Sequence, residues 1–250
     1  MAPPTLQYTR EKRGFSDETI KRFQIGYAMP GWSHMLDYLK QLGYTEEMVL
    51  EAGMAVRNEK GSIYDRFRNR LMIPIRDDRG RVIGFGARAL AAEDNPKYLN
   101  SPETPIFSKG RELYGLWEAR DAIREQGYVL VTEGYMDVVA LAQLGFPNAV
   151  ATLGTACTTD HVHKLFRFTD SVVFSFDGDA AGRRAARKAL DGALPYATDV
   201  RTVKFLFLPA EHDPDSFIRE HGRDAFARTV GDATPLSRFL IDVSRDGCDL

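Results

Sequence analysis

The feature that most limits what this chain can become is an alternation that begins at residue 128. Four short apolar runs, residues 128–132, 149–153, 172–176 and 202–208, are separated by segments of helical length. Near-continuous apolar runs of this size suit strands buried on both faces. Their alternation with helices, expected over 135–144, 160–168, 180–194, 215–220 and 224–230, implies βαβ units and a mostly parallel four-stranded sheet. In such sheets ligands sit at the carboxyl ends of the strands.

The residues ahead of that alternation follow a different pattern. The first 12 or so are polar and are expected to extend. Ser16 then caps a short helix, and two more helices are expected over 31–43 and 45–53, each ended by a glycine. Residues 71–75 and 81–85 flank Asp77-Asp78-Arg79-Gly80 and read as a β-hairpin. Residues 95–104, with two prolines, are expected to form a loop, and 113–126 a helix closed by Gly127. The expected class is therefore α/β: a mixed α+β subdomain over 1–126, the α/β subdomain with helices flanking its sheet over 127–222, and the start of a further helical part over 223–250.

Composition excludes several classes. With 44% hydrophobic and 27% charged residues among 250, the chain is globular and neither disordered nor a coiled coil. No apolar run is long enough to span a bilayer, and the first five residues lack an apolar signal core. Cys157 and Cys248 are too few for a disulfide scaffold or a four-cysteine zinc site, which fits a reducing, cytoplasmic setting. The net charge of −2 conceals an asymmetry. Residues 57–111 carry 12 Lys/Arg against 7 Asp/Glu, whereas residues 127–250 carry 13 against 17. By itself this asymmetry fits either a polyanionic partner for the basic half or solvated faces that merely differ in charge.

Acids follow three of the four strands: Glu133 the first, Asp177 and Asp179 the third, Asp213 and Asp215 the fourth. Taken singly, each is compatible with a helix cap or a turn. Together, carboxylates gathered at one sheet edge repel one another and resist desolvation unless something compensates them. Oxygen ligands without Cys or His favour a hard cation, Mg²⁺ or Mn²⁺. Other candidates invite blander readings. His161 and His163 are expected at the surface, and Cys157 is a small loop residue and no nucleophile. Trp32, Tyr64 and Phe67 are able to stack on bases, but aromatics among apolar neighbours are more often core. Arg66, Arg68 and Arg70 alternate, which in a strand places them on one face, where they would hold phosphates or protect an exposed edge strand with charge.

An acid plus glycine after one strand and Asp-x-Asp two strands on resembles the Toprim domain. The longer runs Glu133-Gly134-Tyr135-Met136-Asp137-Val138-Val139-Ala140-Leu141 and Phe176-Asp177-Gly178-Asp179-Ala180-Ala181-Gly182-Arg183 resemble bacterial DnaG-type primases. So do Asp65-Arg66-Phe67-Arg68, Met72-Ile73-Pro74-Ile75, Ile83-Gly84-Phe85-Gly86 and the run from Pro96 to Thr104. Ala87 stands where the family commonly has glycine.

The resemblance implies a core that polymerises RNA primers on single-stranded DNA from ribonucleoside triphosphates. It implies Glu133, Asp177 and Asp179 as catalytic acids, and these with Asp137, Asp213 and Asp215 as ligands to two or more Mg²⁺ or Mn²⁺ ions. It maps Arg88, Lys97, Tyr98, Asn100 and Lys109 to nucleotide binding and adds Arg13 to the DNA-binding arginines Arg66, Arg68 and Arg70. Replicative helicase and single-strand-binding protein are partners of the full-length family, at the replication fork in the nucleoid. The zinc-ribbon and helicase-binding domains have no counterpart here, so the chain is expected to be the middle of a longer enzyme. Two rival readings stand beside this one: a Toprim-type nuclease, which would cut DNA in Mg²⁺ without nucleotides, and a catalytically weak nucleic-acid or nucleotide-binding module.

Overall fold

The computed structural model describes residues 4–91 and 94–246; Glu93, Cys248 and the first three residues weighed above lie outside them. The chain forms two compact units, Met1–Ser108 and Lys109–Leu250. The division falls ahead of the boundary expected near Gln126, because the helix Leu116–Gln126 buries Leu116, Ala119 and Ile123 in the core of the second unit.

The first unit opens on α1 (Pro4–Gln7), which runs into a π-helical turn over Tyr8–Lys12. This corrects the expected extended start. Tyr8 and Thr9 are buried, and the Thr9 hydroxyl donates to the Thr5 carbonyl at 2.8 Å. Next come α2 (Asp17–Arg22), β1 (Gly26–Ala28), α3 (His34–Gln41) and α4 (Glu46–Glu51). Ser16 and Thr45 cap α2 and α4 by accepting from the backbone N–H three residues on. The cap of α3 comes from elsewhere: the buried Asp65 carboxylate accepts from Met35 N and Leu36 N at 2.8 and 2.9 Å. A short antiparallel pair, β2 (Ala55–Arg57) and β3 (Ile63–Asp65), precedes the predicted hairpin, β4 (Arg70–Arg76) and β5 (Val82–Ala89). Asp77 closes its turn by accepting from Arg79 N and Arg81 N. The unit's main sheet is antiparallel in the order β1-β4-β5-β6. Its edge strand β6 (Tyr98–Asn100) arises within the stretch expected as a loop. Pro74 is tolerated in β4 because it lies past the end of β1, which pairs only as far as Met72.

The second unit begins with α5 (Leu116–Gln126), which starts later than expected because Tyr114 first bridges to Ala151. Gly127 then ends it with φ +76°. The alternation follows: β7 (Val129–Thr132), α6 (Tyr135–Gln143), β8 (Ala149–Ala151), α7 (Thr159–Leu165), β9 (Ser171–Phe176), α8 (Ala180–Ala193), β10 (Thr202–Phe207), α9 (Pro214–His221) and α10 (Arg223–Gly231). The four predicted strands pair parallel. A two-residue strand, β11 (Thr234–Pro235), adds an antiparallel edge before α11 (Leu236–Asp246), giving the order β11-β10-β9-β7-β8.

Side chains of this sheet divide by parity. Val129, Val131, Val172, Phe174, Val203 and Phe205 pack with α5, α7 and α8 on one face. Leu130, Val173 and Leu206 pack with α6, α9 and α10 on the other. Burial on both faces is the reason the strands read as unbroken apolar runs. No helix among the described residues is long and apolar enough to cross a membrane.

Candidate functional site

The site follows from the strand order. β9 lies between β10 and β7, so the three acidic strand ends are neighbours with Asp177 in the middle. Glu133 follows β7, and Asp137 sits in the first turn of α6. Asp177 follows β9, and Asp179 is the N-cap of α8, its Oδ1 accepting from Gly182 N at 2.8 Å. Asp213 is the N-cap of α9, accepting from Ser216 N at 2.7 Å. Asp215, buried in the first turn of α9, pairs with Arg219. Capping and clustering, which the sequence offers as rival readings of these acids, hold together: Asp179 and Asp213 each cap a helix through one oxygen.

Two glycines set the spacing. A Cβ on Gly178 would lie 2.2 Å from the Leu208 carbonyl oxygen, and one on Gly182 would lie 2.0 Å from that of Asp177. The β9–α8 turn thus presses backbone to backbone against the segment after β10, and against its own first helical turn.

The acids left without an equal compensating charge are held above the ordinary carboxylate range. Burial raises Asp177 to about 6, helped by Glu133, Asp213 and Asp179. Asp137 is raised well above its ordinary value, first by burial, then by Asp213, Asp177 and Asp215. Glu133 is raised by burial and by Asp179, partly offset by the Asp177 backbone. The donor set is all oxygen, and mutual repulsion of this kind is what a divalent cation relieves. Among the described residues, the six do not place three ligand oxygens within 4.8 Å of one another. An ion held by one or two carboxylates and otherwise by water, as Mg²⁺ commonly is, requires no closer grouping. Beside them a cavity of about 380 Å³ is lined by Thr132, Glu133, Thr152, Thr155, Arg184 and Lys188.

In the first unit, four of the predicted residues form a chain of contacts with one that sequence reasoning missed. The Arg88 guanidinium lies 4.5 Å from the centroid of the Tyr8 ring and 5.9 Å from that of Tyr98. Arg13 donates to the Tyr8 hydroxyl at 2.8 Å, and Lys97 Nζ stands 5.7 Å from the Tyr98 ring. Arg88 Nε is buried without a hydrogen-bond partner. The sequence signal for Tyr8 was weak: one aromatic in a polar stretch. Asn100 pairs with Gly86 in the β5–β6 ladder.

The three alternating arginines do not form one face of a strand. Residues 66–69 connect β3 to β4, with Asn69 at φ +50°. Arg66 donates to the Asn100 carbonyl at 2.8 Å, and Arg70 is buried and donates to that of Pro96 at 2.6 Å. Arg68 stacks between Trp32 and Tyr64, at 4.6 and 5.0 Å from their ring centroids. They line a cavity of about 430 Å³ with Trp32, Tyr64 and Asp94. Phe67 is core, while Trp32 is 67% exposed.

Lys109, in the second unit, has its carbonyl held by His161. Thr158 N donates to His161 Nδ1, so Nε2 carries the proton and donates to the Lys109 and Glu112 carbonyls at 2.9 and 3.1 Å. His161 is thus fully buried and structural, not a surface residue; His163 is exposed and stacks on Tyr196. Burial pushes the Cys157 thiol up to about 12, which removes it as a nucleophile.

Comparison with known proteins agrees with both units. The family described as DNA primase catalytic core, N-terminal domain, matches residues 2–120, and the family described as Toprim-like matches residues 130–218. The chain is 54% identical over 250 residues to a DNA primase of Escherichia coli strain K12, covering 100% of this chain and 43% of that protein. It is 55% identical over 241 residues to a DNA primase of Salmonella typhimurium, covering 96% and 41%. The chain thus spans about two fifths of the length of these relatives. Among solved structures, the E. coli primase catalytic core superposes with a TM-score of 0.90 at 53% identity, covering 98% of this chain and 78% of that one. A DnaG primase catalytic domain bound to single-stranded DNA gives 0.88 at 54% identity, covering 96% and 77%.

Proposed function

Because the chain belongs to the DnaG-type primase family, we propose that it is the RNA-polymerising core of a primase, making short RNA primers on single-stranded DNA. The observation that carries this reading is the acid cluster centred on Asp177, where three neighbouring strand ends gather carboxylates and those following β7 and β9 are held above their ordinary range. Glu133, Asp177 and Asp179 are its catalytic acids. With Asp137, Asp213 and Asp215 they hold two or more Mg²⁺ or Mn²⁺ ions. Bound there, such ions supply activation of a primer 3′-hydroxyl and neutralisation of the leaving pyrophosphate.

The rest is positioning. Arg88, steadied between two tyrosine rings, grips phosphate through its fork of donors. Lys97 and Lys109 neutralise triphosphate oxygens as compact charges, with Tyr98 and Asn100 alongside. Arg13, Arg66 and Arg68 face template phosphates, and Arg70, buried against the Pro96 carbonyl, backs the cavity it lines with Arg66 and Arg68. The carbonyl contacts of Arg66 and Arg70 engage only part of each five-donor fork. Replicative helicase and single-strand-binding protein are partners of the longer enzyme in the same reading, at the replication fork.

The test is primer synthesis on single-stranded DNA with ribonucleoside triphosphates in Mg²⁺ or Mn²⁺. Primers are expected from the wild type and none from Asp177→Ala/Asp179→Ala, with DNA binding retained. Equal product from both overturns the assignment, and cleavage of DNA without nucleotides turns it toward a nuclease.

A further inference from the structure

Helix α9 carries a second set of ligands, chemically unlike the acids at its start. His212 lies just ahead of the helix, and Glu220 and His221 lie in its last turn. One donor atom from each falls within 4.8 Å of the others, the sole such trio among the described residues. His212 Nε2 stands 3.9 Å from Glu220 Oε2, and His221 Nε2 stands 3.9 Å from Glu220 Oε1. Two imidazole nitrogens thus approach one carboxylate.

His212 has an outer partner on its other ring nitrogen: Nδ1 lies 3.3 Å from Ser216 Oγ, which also accepts from Asp213 N at 3.0 Å. The opposite nitrogen, Nε2, faces Glu220. A ring nitrogen fixed in this way by an outer partner is the arrangement found behind metal-bound histidines. Tetrahedral ligands at about 2.1 Å stand roughly 3.4 Å apart. The observed separations close to that by small rotations of Glu220 and His221, both exposed, while His212 is the buried anchor. Aromatic packing on Phe217 accounts for the positions of the two rings, at 5.5 and 4.6 Å, but not for their shared carboxylate.

We propose that His212, Glu220 and His221 bind a divalent ion of the zinc class, with the fourth position left to water. Imidazole donors select such an ion over Mg²⁺. Occupied, the site fastens the segment before α9, next to the cap residue Asp213, to the last turn of the same helix.

The experiment titrates the chain with Co²⁺, read by visible absorption, and with Zn²⁺, read by calorimetry, both in millimolar Mg²⁺ to occupy the carboxylate cluster. One equivalent and a tetrahedral Co²⁺ spectrum are expected. Affinity should fall at least about tenfold in His221→Ala and in Glu220→Gln, and stay unchanged in Asp177→Ala/Asp179→Ala. Binding unaltered by His221→Ala and Glu220→Gln, abolished by the double aspartate change, or absent from the wild type overturns the proposal. None of these outcomes bears on primer synthesis.

Discussion

Replacing Asp177 by asparagine should make the metal-free protein more stable while removing its activity. The carboxylate is raised from 3.8 to about 6, by burial first and then by Glu133, Asp213 and Asp179. A shift of that size corresponds to about 3 kcal/mol of differential interaction. Solvent reaches part of the side chain, so screening brings the expected contribution to about 1–2 kcal/mol. The sign follows from proton linkage. The folded state binds this proton more tightly than the unfolded state, so wild-type stability is lost as pH rises from about 4 through about 6. Asparagine of the same shape carries no charge to repel. Scanning calorimetry in chelator at pH 7.5 should show Asp177→Asn melting about 2–8 °C above wild type. The difference should shrink as pH falls below 4, where both forms are neutral. Saturating Mg²⁺ should raise the melting temperature of the wild type and reverse the order. Asparagine lowering the melting temperature at pH 7.5 without metal, or a gain independent of pH, would refute the electrostatic account of this cluster.

Two further predictions address packing and charge. Gly182→Ala places a Cβ 2.0 Å from the Asp177 carbonyl oxygen, inside the turn that carries Asp177 and Asp179. It should cost about 2–4 kcal/mol in denaturant melts, whereas Gly231→Ala, which meets nothing within 4 Å, should be neutral or stabilising by up to about 1 kcal/mol. Lys97→Ala should raise the KM for ribonucleotides more than the Kd for single-stranded DNA measured by anisotropy; equal losses would contradict a triphosphate role.

What the sequence reveals depends on whether a residue's role is set nearby. The parallel strands were legible because burial on both faces writes an unbroken apolar run, and the caps Ser16 and Thr45 because a cap bonds three residues away. β6 and β11, of three and two residues, are too short to carry a period and exist only because a neighbouring strand pairs with them. The spacing of Arg66, Arg68 and Arg70 imitates a strand, but Asn69 turns the backbone and distant carbonyls fix two of the three side chains. Asp65 reads as part of an acidic-basic motif, yet its carboxylate caps a helix about 30 positions earlier in the chain. Tyr8 gains meaning only when folding brings Arg88 and Arg13 to its ring and hydroxyl. His161 looked like a surface residue because the carbonyls it holds lie about 50 positions away.

The acid cluster shows the same division within one site. Spacing in the sequence counts six carboxylates but treats them as equals, and the fold does not. Asp179 and Asp213 are each steadied by a backbone N–H at a helix start, where the helix dipole also favours negative charge. Asp215 has Arg219. Those three have local partners. The burden falls on Glu133, Asp137 and Asp177, which are raised. They come from the ends of β7 and β9, adjacent strands joined through a parallel ladder. A cation in this cluster would be drawn first to that seam, beside the cavity that Glu133 lines. The central position of β9, which no local pattern in the sequence specifies, is what puts Asp177 within reach of acids on both sides. The glycine contacts then keep its backbone from moving away from them.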